Sequence, residues 1–214
     1  NVDNPDKQRY NRGMLDKRIL SLIPLLKKRS HFLFGPRGTG KSTLIKGELK
    51  DCAVIIDLLK SGTYRALLNA PELLEEMIES AMSDSKKWVV IDEIQKIPAL
   101  LDEVHRLIEE KKWTFLLTGS SARKLKKQNA NMLGGRARRA EMFPFVYPEF
   151  KKWKVEERLL HGCLPVVLSS DNPSEDLEAY VDNYLKEEIL QEGIIRKLEP
   201  FSRFLTVAAL SSGE

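Results

Sequence analysis

The chain has 214 residues, 42% hydrophobic and 31% charged, with a formal net charge of +4. This is an ordinary globular mixture, long enough for one sizeable core and a small appendage. No apolar run approaches the ~20 residues of a membrane span, the polar first residues lack a signal peptide's apolar centre, and so mild a charge alone says little about nucleic acid.

Asn1 to Arg12 are polar and predict a loosely attached arm. Leu15, Ile19, Leu20, Ile23, Leu25 and Leu26 predict a helix over 14–29 that Pro24, near its middle, breaks or kinks. His31-Phe32-Leu33-Phe34 predicts a first strand, followed by a glycine-rich turn and a helix to about Lys50. Cys52 to Leu58 reads as a buried strand, too apolar for a half-exposed one. Two short helical patterns fill 63–82, parted at Pro71, which is placed to open the second. Trp88 to Ile91 predicts another buried strand, ending in Asp92-Glu93. Leu100, Leu101, Val104, Leu107 and Ile108 share one face of an amphipathic helix over 99–110. Trp113 to Leu117 is a further strand, ending in Thr118-Gly119-Ser120-Ser121 and leading into a helix over 121–128. Beyond about Lys154, Leu177, Tyr180, Val181, Tyr184, Leu185 and Ile189 stripe one helix, and Phe201, Phe204, Leu205, Ala208 and Ala209 another. Alternating strands and helices predict an α/β core with a mainly parallel sheet over 1–154. A small helical subdomain is expected over 155–214, with the natural protein continuing into a further C-terminal domain. Cys52 and Cys163 sit in apolar sequence without metal-ligand spacing, which predicts buried reduced thiols and a cytoplasmic setting.

The most informative stretch is Gly35-Pro36-Arg37-Gly38-Thr39-Gly40-Lys41-Ser42, followed by Thr43. It matches the phosphate-loop pattern G-x-x-x-x-G-K-[ST] between a strand and a helix. Glycines let the backbone turn its N–H groups inward as an anion nest, at the positive end of the helix that follows. The pattern places the Lys41 ammonium on the β- and γ-phosphates of ATP and makes the Ser42 hydroxyl a ligand of Mg²⁺. Arg9 and Tyr10, just ahead of the first helix, are candidates for the base pocket. An apolar strand ending in Asp92-Glu93 about 50 residues on is the Walker B arrangement. Asp92 would hold Mg²⁺ through its water shell, while Glu93 orients and polarises the water attacking the γ-phosphate. A GTPase would show D-x-x-G here and N-K-x-D later; the chain has Asp92-Glu93-Ile94-Gln95 and no N-K-x-D. Thr118 and Ser120 stand where a sensor of the γ-phosphate belongs, although Ser120 equally suits a helix cap.

Cations dominate 123–154: Arg123, Lys124, Lys126, Lys127, Arg136, Arg138, Arg139, Lys151, Lys152 and Lys154 face Glu141 and Glu149, with five aromatic residues interleaved. A solvated basic face around core aromatics is one reading, and a nucleic-acid surface is another. Arg136, after Gly134-Gly135, is also a candidate cationic finger for the transferring phosphoryl group, with Arg138 and Arg139 as competitors.

With these residues in view the chain resembles the prokaryotic AAA-type ATPases that commonly carry an uncharacterised second domain. The matching stretches are LFGPRGTGKSTLI, VVIDEIQKIPALLDEVHRLIE, FLLTGSSARKL, NMLGGRARRAEMFPFVYPEF, GCLPVV, YLKEEILQEGIIRKL and FSRFLTVAAL. The resemblance implies a P-loop NTPase core in which the Walker B strand is not directly beside the phosphate-loop strand. It carries the lysine and serine roles to Lys41 and Ser42, and the metal and water roles to Asp92 and Glu93. The sensor asparagine of larger AAA+ proteins is replaced by the Thr118–Ser121 run. The expected activity is hydrolysis of Mg-ATP coupled to conformational change, in a chain able to form homo-oligomers. An ATP-gated switch or scaffold with slow turnover is the alternative.

Overall fold

Ser30–Phe34 (β1) is buried at all five positions, and its alternating side chains feed two separate cores. Phe32 and Phe34 enter one and Leu33 the other. This period of two is what a strand enclosed by helices on both faces requires. The computed structural model describes residues 17–120, 122–127, 133–149, 154–184 and 198–211. Ala53–Asp57 (β2), Trp88–Asp92 (β3), Phe115–Gly119 (β4) and Ala137–Glu141 (β5) join β1 in a sheet of order β2-β3-β4-β1-β5. Every pairing is parallel. The strand that ends at Asp92, β3, is therefore separated from β1, which leads into the glycine-rich turn, by β4.

Parallel neighbours need crossovers, and helices supply them on both faces. Leu22–Leu26 (α1) and Lys41–Leu49 (α2) cover one face, burying Leu22, Leu26, Ile45 and Leu49 against Leu33, Val90 and Leu116. Ser61–Asn69 (α3), Leu73–Ala81 (α4), Leu100–Lys111 (α5) and Ala122–Lys127 (α6) cover the other. The predicted apolar face of α5 holds: Leu100, Leu101, Val104 and Leu107 are buried, each contributing about 1.5–3 kcal/mol.

Several expectations change. Of the helix predicted over 14–29, the described residues 17–29 form only α1, with Pro24 in its first turn, where a missing N–H breaks no helical bond, and residues 14–16 lie outside the described residues. The α1 start is capped from a distance: the Glu48 carboxylate of α2 accepts from Leu22 N–H at 2.7 Å and from the Ser21 hydroxyl at 3.0 Å. The expected buried strand at 52–58 is an edge strand, with Ile55 36% exposed. Cys52 and Cys163 are free thiols, but both are partly exposed rather than buried. β5 lies inside the basic stretch, where sequence pattern had indicated only a charged face. Its Arg138 and Arg139 are exposed on an edge that charge protects from pairing with another chain.

Glu149, a counter-charge in sequence, is an anchor in the fold. It is 5% exposed and accepts from Ile19 N–H at 2.8 Å and Val146 N–H at 3.0 Å, with the Arg18 guanidinium at 3.1 Å. It fastens the segment entering α1 to the turn Tyr147–Glu149.

The chain divides into two compact units, 1–169 and 170–214. Val155–His161 (α7) and Pro165–Leu168 (α8) belong to the first unit. Pro173–Asn183 (α9) and Leu198–Leu210 (α10) belong to the second; α9 buries no residue, and Phe204, Val207 and Leu210 of α10 are exposed. No helix among the described residues is long and apolar enough to cross a membrane.

Replacing Glu48 by Ala leaves the α1 donors uncapped and is expected to cost about 1–2 kcal/mol, read as a lower urea midpoint. An unchanged midpoint would contradict the long-range cap.

Candidate functional site

The carboxyl ends of β1, β3 and β4 meet at one point, where open parallel sheets bind their ligands. β1 runs out at Phe34 into the glycine-rich turn, and α2 begins at Lys41. Gly38 (φ 76°) and Gly40 (φ 88°) take the left-handed backbone that curls the loop. Gly35 is required for a different reason: a Cβ there would lie 2.2 Å from the Met142 carbonyl oxygen, because the exit of β5 passes alongside. Thr39 is fully buried and its hydroxyl donates to the Pro36 carbonyl at 2.8 Å, bracing the turn. The Lys41 ammonium, 7% exposed, donates to the carbonyls of Gly35 at 2.5 Å and Pro36 at 3.0 Å. The Lys41 side chain is thus held inside the loop by two backbone carbonyls.

The Ser42 hydroxyl donates to Asp92 Oδ2 at 3.2 Å across 50 residues of sequence. The other carboxylate oxygen, Oδ1, accepts from the Thr118 hydroxyl, and Glu93 N–H donates to that same Thr118 oxygen at 3.3 Å. Thr118 is fully buried and holds the Asp92 carboxylate through this contact. Glu93 adopts φ 62° and starts the short turn Ile94–Lys96, and its Oε2 accepts from the Gln95 amide. Ser120, one residue past β4, has a buried hydroxyl without a partner among the described residues. It lines a small cavity of about 200 Å³ with Gly35, Pro36 and Arg139.

The main cleft, about 700 Å³, has two chemically different ends. Arg37, Gly38, Gly40, Lys41, Ser42, Thr43 and Glu93 line one, and Phe145, Pro165, Val166 and Leu168 the other. Phe145 N–H donates to the Cys163 carbonyl at 2.8 Å, joining the two segments of the apolar end. Sequence reading missed this end. Phe145 stood among many aromatics in a basic stretch, and Pro165-Val166 lies over 120 residues from the loop, with no spacing rule to connect them. Arg9 and Tyr10, the candidates for a base pocket, lie outside the described residues.

Arg136 stands apart from the phosphate loop of its own chain. It precedes β5 at the amino end of the sheet, where it pairs with Glu109, whereas the phosphate loop leaves from the carboxyl end. Four or five residues of strand, roughly 15 Å, intervene. Arg139 is nearer the loop, over the Phe34 ring at 5.6 Å and paired with Glu141.

Three known proteins and one family model are similar to this chain. An uncharacterised protein of Methanocaldococcus jannaschii, MJ1544, is 24% identical over 204 residues, covering 83% of this chain. This chain spans 45% of that relative's length. Among solved structures, the Aeropyrum pernix ORC1 protein in complex with DNA is 14% identical, with 76% of this chain and 55% of that chain covered and a TM-score of 0.41. Domain III of the Thermotoga maritima replication initiation protein DnaA is 16% identical, with 77% and 81% covered and a TM-score of 0.35. The family model described as an AAA domain matches residues 27–151, which include the phosphate loop, Asp92-Glu93 and all five strands. With more than half its length matched, the chain belongs to the AAA domain family and carries its phosphate-loop nucleotide-binding core.

Proposed function

We propose that this chain binds Mg-ATP and hydrolyses it to ADP and inorganic phosphate. The observation that carries this reading is the convergence of Ser42 and Asp92 at 3.2 Å in a cleft also lined by Lys41 and Glu93. Lys41, held at the Gly35 and Pro36 carbonyls, supplies a cation to the phosphates, with which it makes charge-assisted hydrogen bonds. Backbone N–H groups of the loop and the start of α2 complete the anion site.

Among the described residues no group of three His, Cys, Asp or Glu side chains is placed to hold a metal alone. One hydroxyl and one carboxylate suit a hard cation that keeps several of its waters, and Ser42 and Asp92 would hold Mg²⁺. When bound, the cation neutralises charge on the β- and γ-phosphates. Glu93 takes the proton of the attacking water, whose oxygen bonds to the γ-phosphorus as the bond to the leaving ADP oxygen breaks. Ser120 remains the proposed sensor, since it lines the back of the loop. The base lies at the apolar end against Phe145, Pro165 and Val166.

Coupling to an attached domain follows the chain. α8 lines the cleft and is followed almost at once by the second unit, which starts at Ser170. The position of Arg136 favours slow turnover by a lone chain, with a cationic finger supplied by a second copy. Turnover per chain that rises with protein concentration supports such an assembly; concentration-independent turnover contradicts it.

Lys41→Ala is expected to weaken ATP binding at least about tenfold by titration calorimetry. Thr118→Val keeps the shape but removes the donor to Asp92, and should raise the Mg²⁺ needed for half-maximal turnover roughly tenfold. Wild-type behaviour in either variant would count against the assigned roles.

A further inference from the structure

We propose that Gln95 is the positioning residue for Glu93, and that residue 119 is glycine because the Gln95 amide fills the space its side chain would need. The inference rests on the hydrolysis reading above and names a residue that reading does not use.

The geometry starts in the backbone. Glu93 sits at φ 62°, a conformation that costs a non-glycine residue roughly 1–2 kcal/mol. It is followed by one tight turn, closed by Lys96 N–H on the Glu93 carbonyl at 2.9 Å and Ile97 N–H on the Ile94 carbonyl at 3.1 Å. Ile94 is fully buried and anchors the turn in the core beneath the sheet. The left-handed residue and the turn together fold the Gln95 side chain back along Glu93, so that Nε2 donates to Glu93 Oε2.

Gln95 is pinned from the other side as well. A Cβ at Gly119 would lie 2.4 Å from Gln95 Oε1 and 3.3 Å from its Cδ. The amide oxygen therefore sits against the last residue of β4, next to the strand that ends one residue before Glu93. Its Oε1 is buried and has no partner among the described residues, as does the hydroxyl of neighbouring Ser120. An open buried acceptor is unfavourable by about 1–3 kcal/mol, and an apolar side chain of the same size would avoid it. What the amide supplies in return is the donor. A carboxylate base has two equivalent oxygens and free rotation at its end. Fixing Oε2 leaves one oxygen of Glu93, which lines the phosphate end of the cleft, to accept from water in one orientation.

The test compares steady-state turnover with ATP affinity in Gln95→Met, Gln95→Ala and Gly119→Ala, beside Glu93→Gln. Met preserves volume and removes the donor, so it separates the hydrogen bond from packing. Gln95→Met and Gln95→Ala are each expected to lower kcat roughly 10- to 100-fold, with KM and ATP dissociation constant within about threefold of wild type. Gly119→Ala should reproduce that loss by displacing the amide, and combining it with Gln95→Met should add little, because both act through one contact. A residue that merely packs would give near-normal kcat in Gln95→Met, and that result overturns the proposal. Normal turnover in Gln95→Ala beside an inactive Glu93→Gln removes this inference alone. A chain that binds ATP but never hydrolyses it, or equal turnover in Glu93→Gln and wild type, removes the hydrolysis reading and this inference together.

Discussion

The hydroxyl of Ser42 on the carboxylate of Asp92 is the contact that gives the sheet order its purpose. The two residues stand at the ends of different strand–turn units, and β4 lies between those strands. Two strand spacings, roughly 10 Å, separate β1 from β3. The gap is closed from both sides: α2 brings Ser42 forward at its first turn, and Asp92 ends β3 facing it. Thr118 of β4 fills the middle, donating to Asp92 and accepting from Glu93 N–H.

Burial sets the second constraint. Lys41 and Asp92 are each less than a tenth exposed, and a buried charge is tolerated only when paired or hydrogen-bonded. The loop answers for Lys41 with two carbonyls, and Ser42 and Thr118 answer for Asp92. Such groups are held in one orientation by the chain itself. The same logic explains Glu149, whose buried carboxylate gathers two backbone N–H groups and Arg18 to hold the entry to α1 against the loop that carries Phe145. The apolar end of the cleft depends on that clasp, since the Arg18 guanidinium also stacks on the Phe145 ring at 4.8 Å.

Much of this was legible in sequence because its physics is local. The glycine pattern before Lys41, the apolar run into Asp92 and the 3.6-residue period of α5 each report a conformation from adjacent residues. β5 was not legible: Ala-Arg-Arg-Ala-Glu has neither a buried run nor alternation, and only an edge position tolerates it as a strand. The Thr118 contact to Asp92 was not legible, because strand ends predict a location and not which way a hydroxyl turns. Arg136 read as a finger from its glycine neighbours, while the parallel register of β5 puts it at the other end of the sheet. Glu48, Glu149 and Gln95 act across distances in sequence or through one left-handed residue, and no periodicity announces them.

The most direct test of the account is a single-turnover experiment, with chain in excess over ATP labelled at the γ-phosphate, in wild type and Glu93→Gln. The account predicts that wild type converts its bound ATP to ADP and phosphate, whereas Glu93→Gln binds with similar affinity and holds the label intact, at least about 100-fold slower. Equal rates of phosphate formation in the two proteins would contradict the role given to Glu93 and the mechanism built around it.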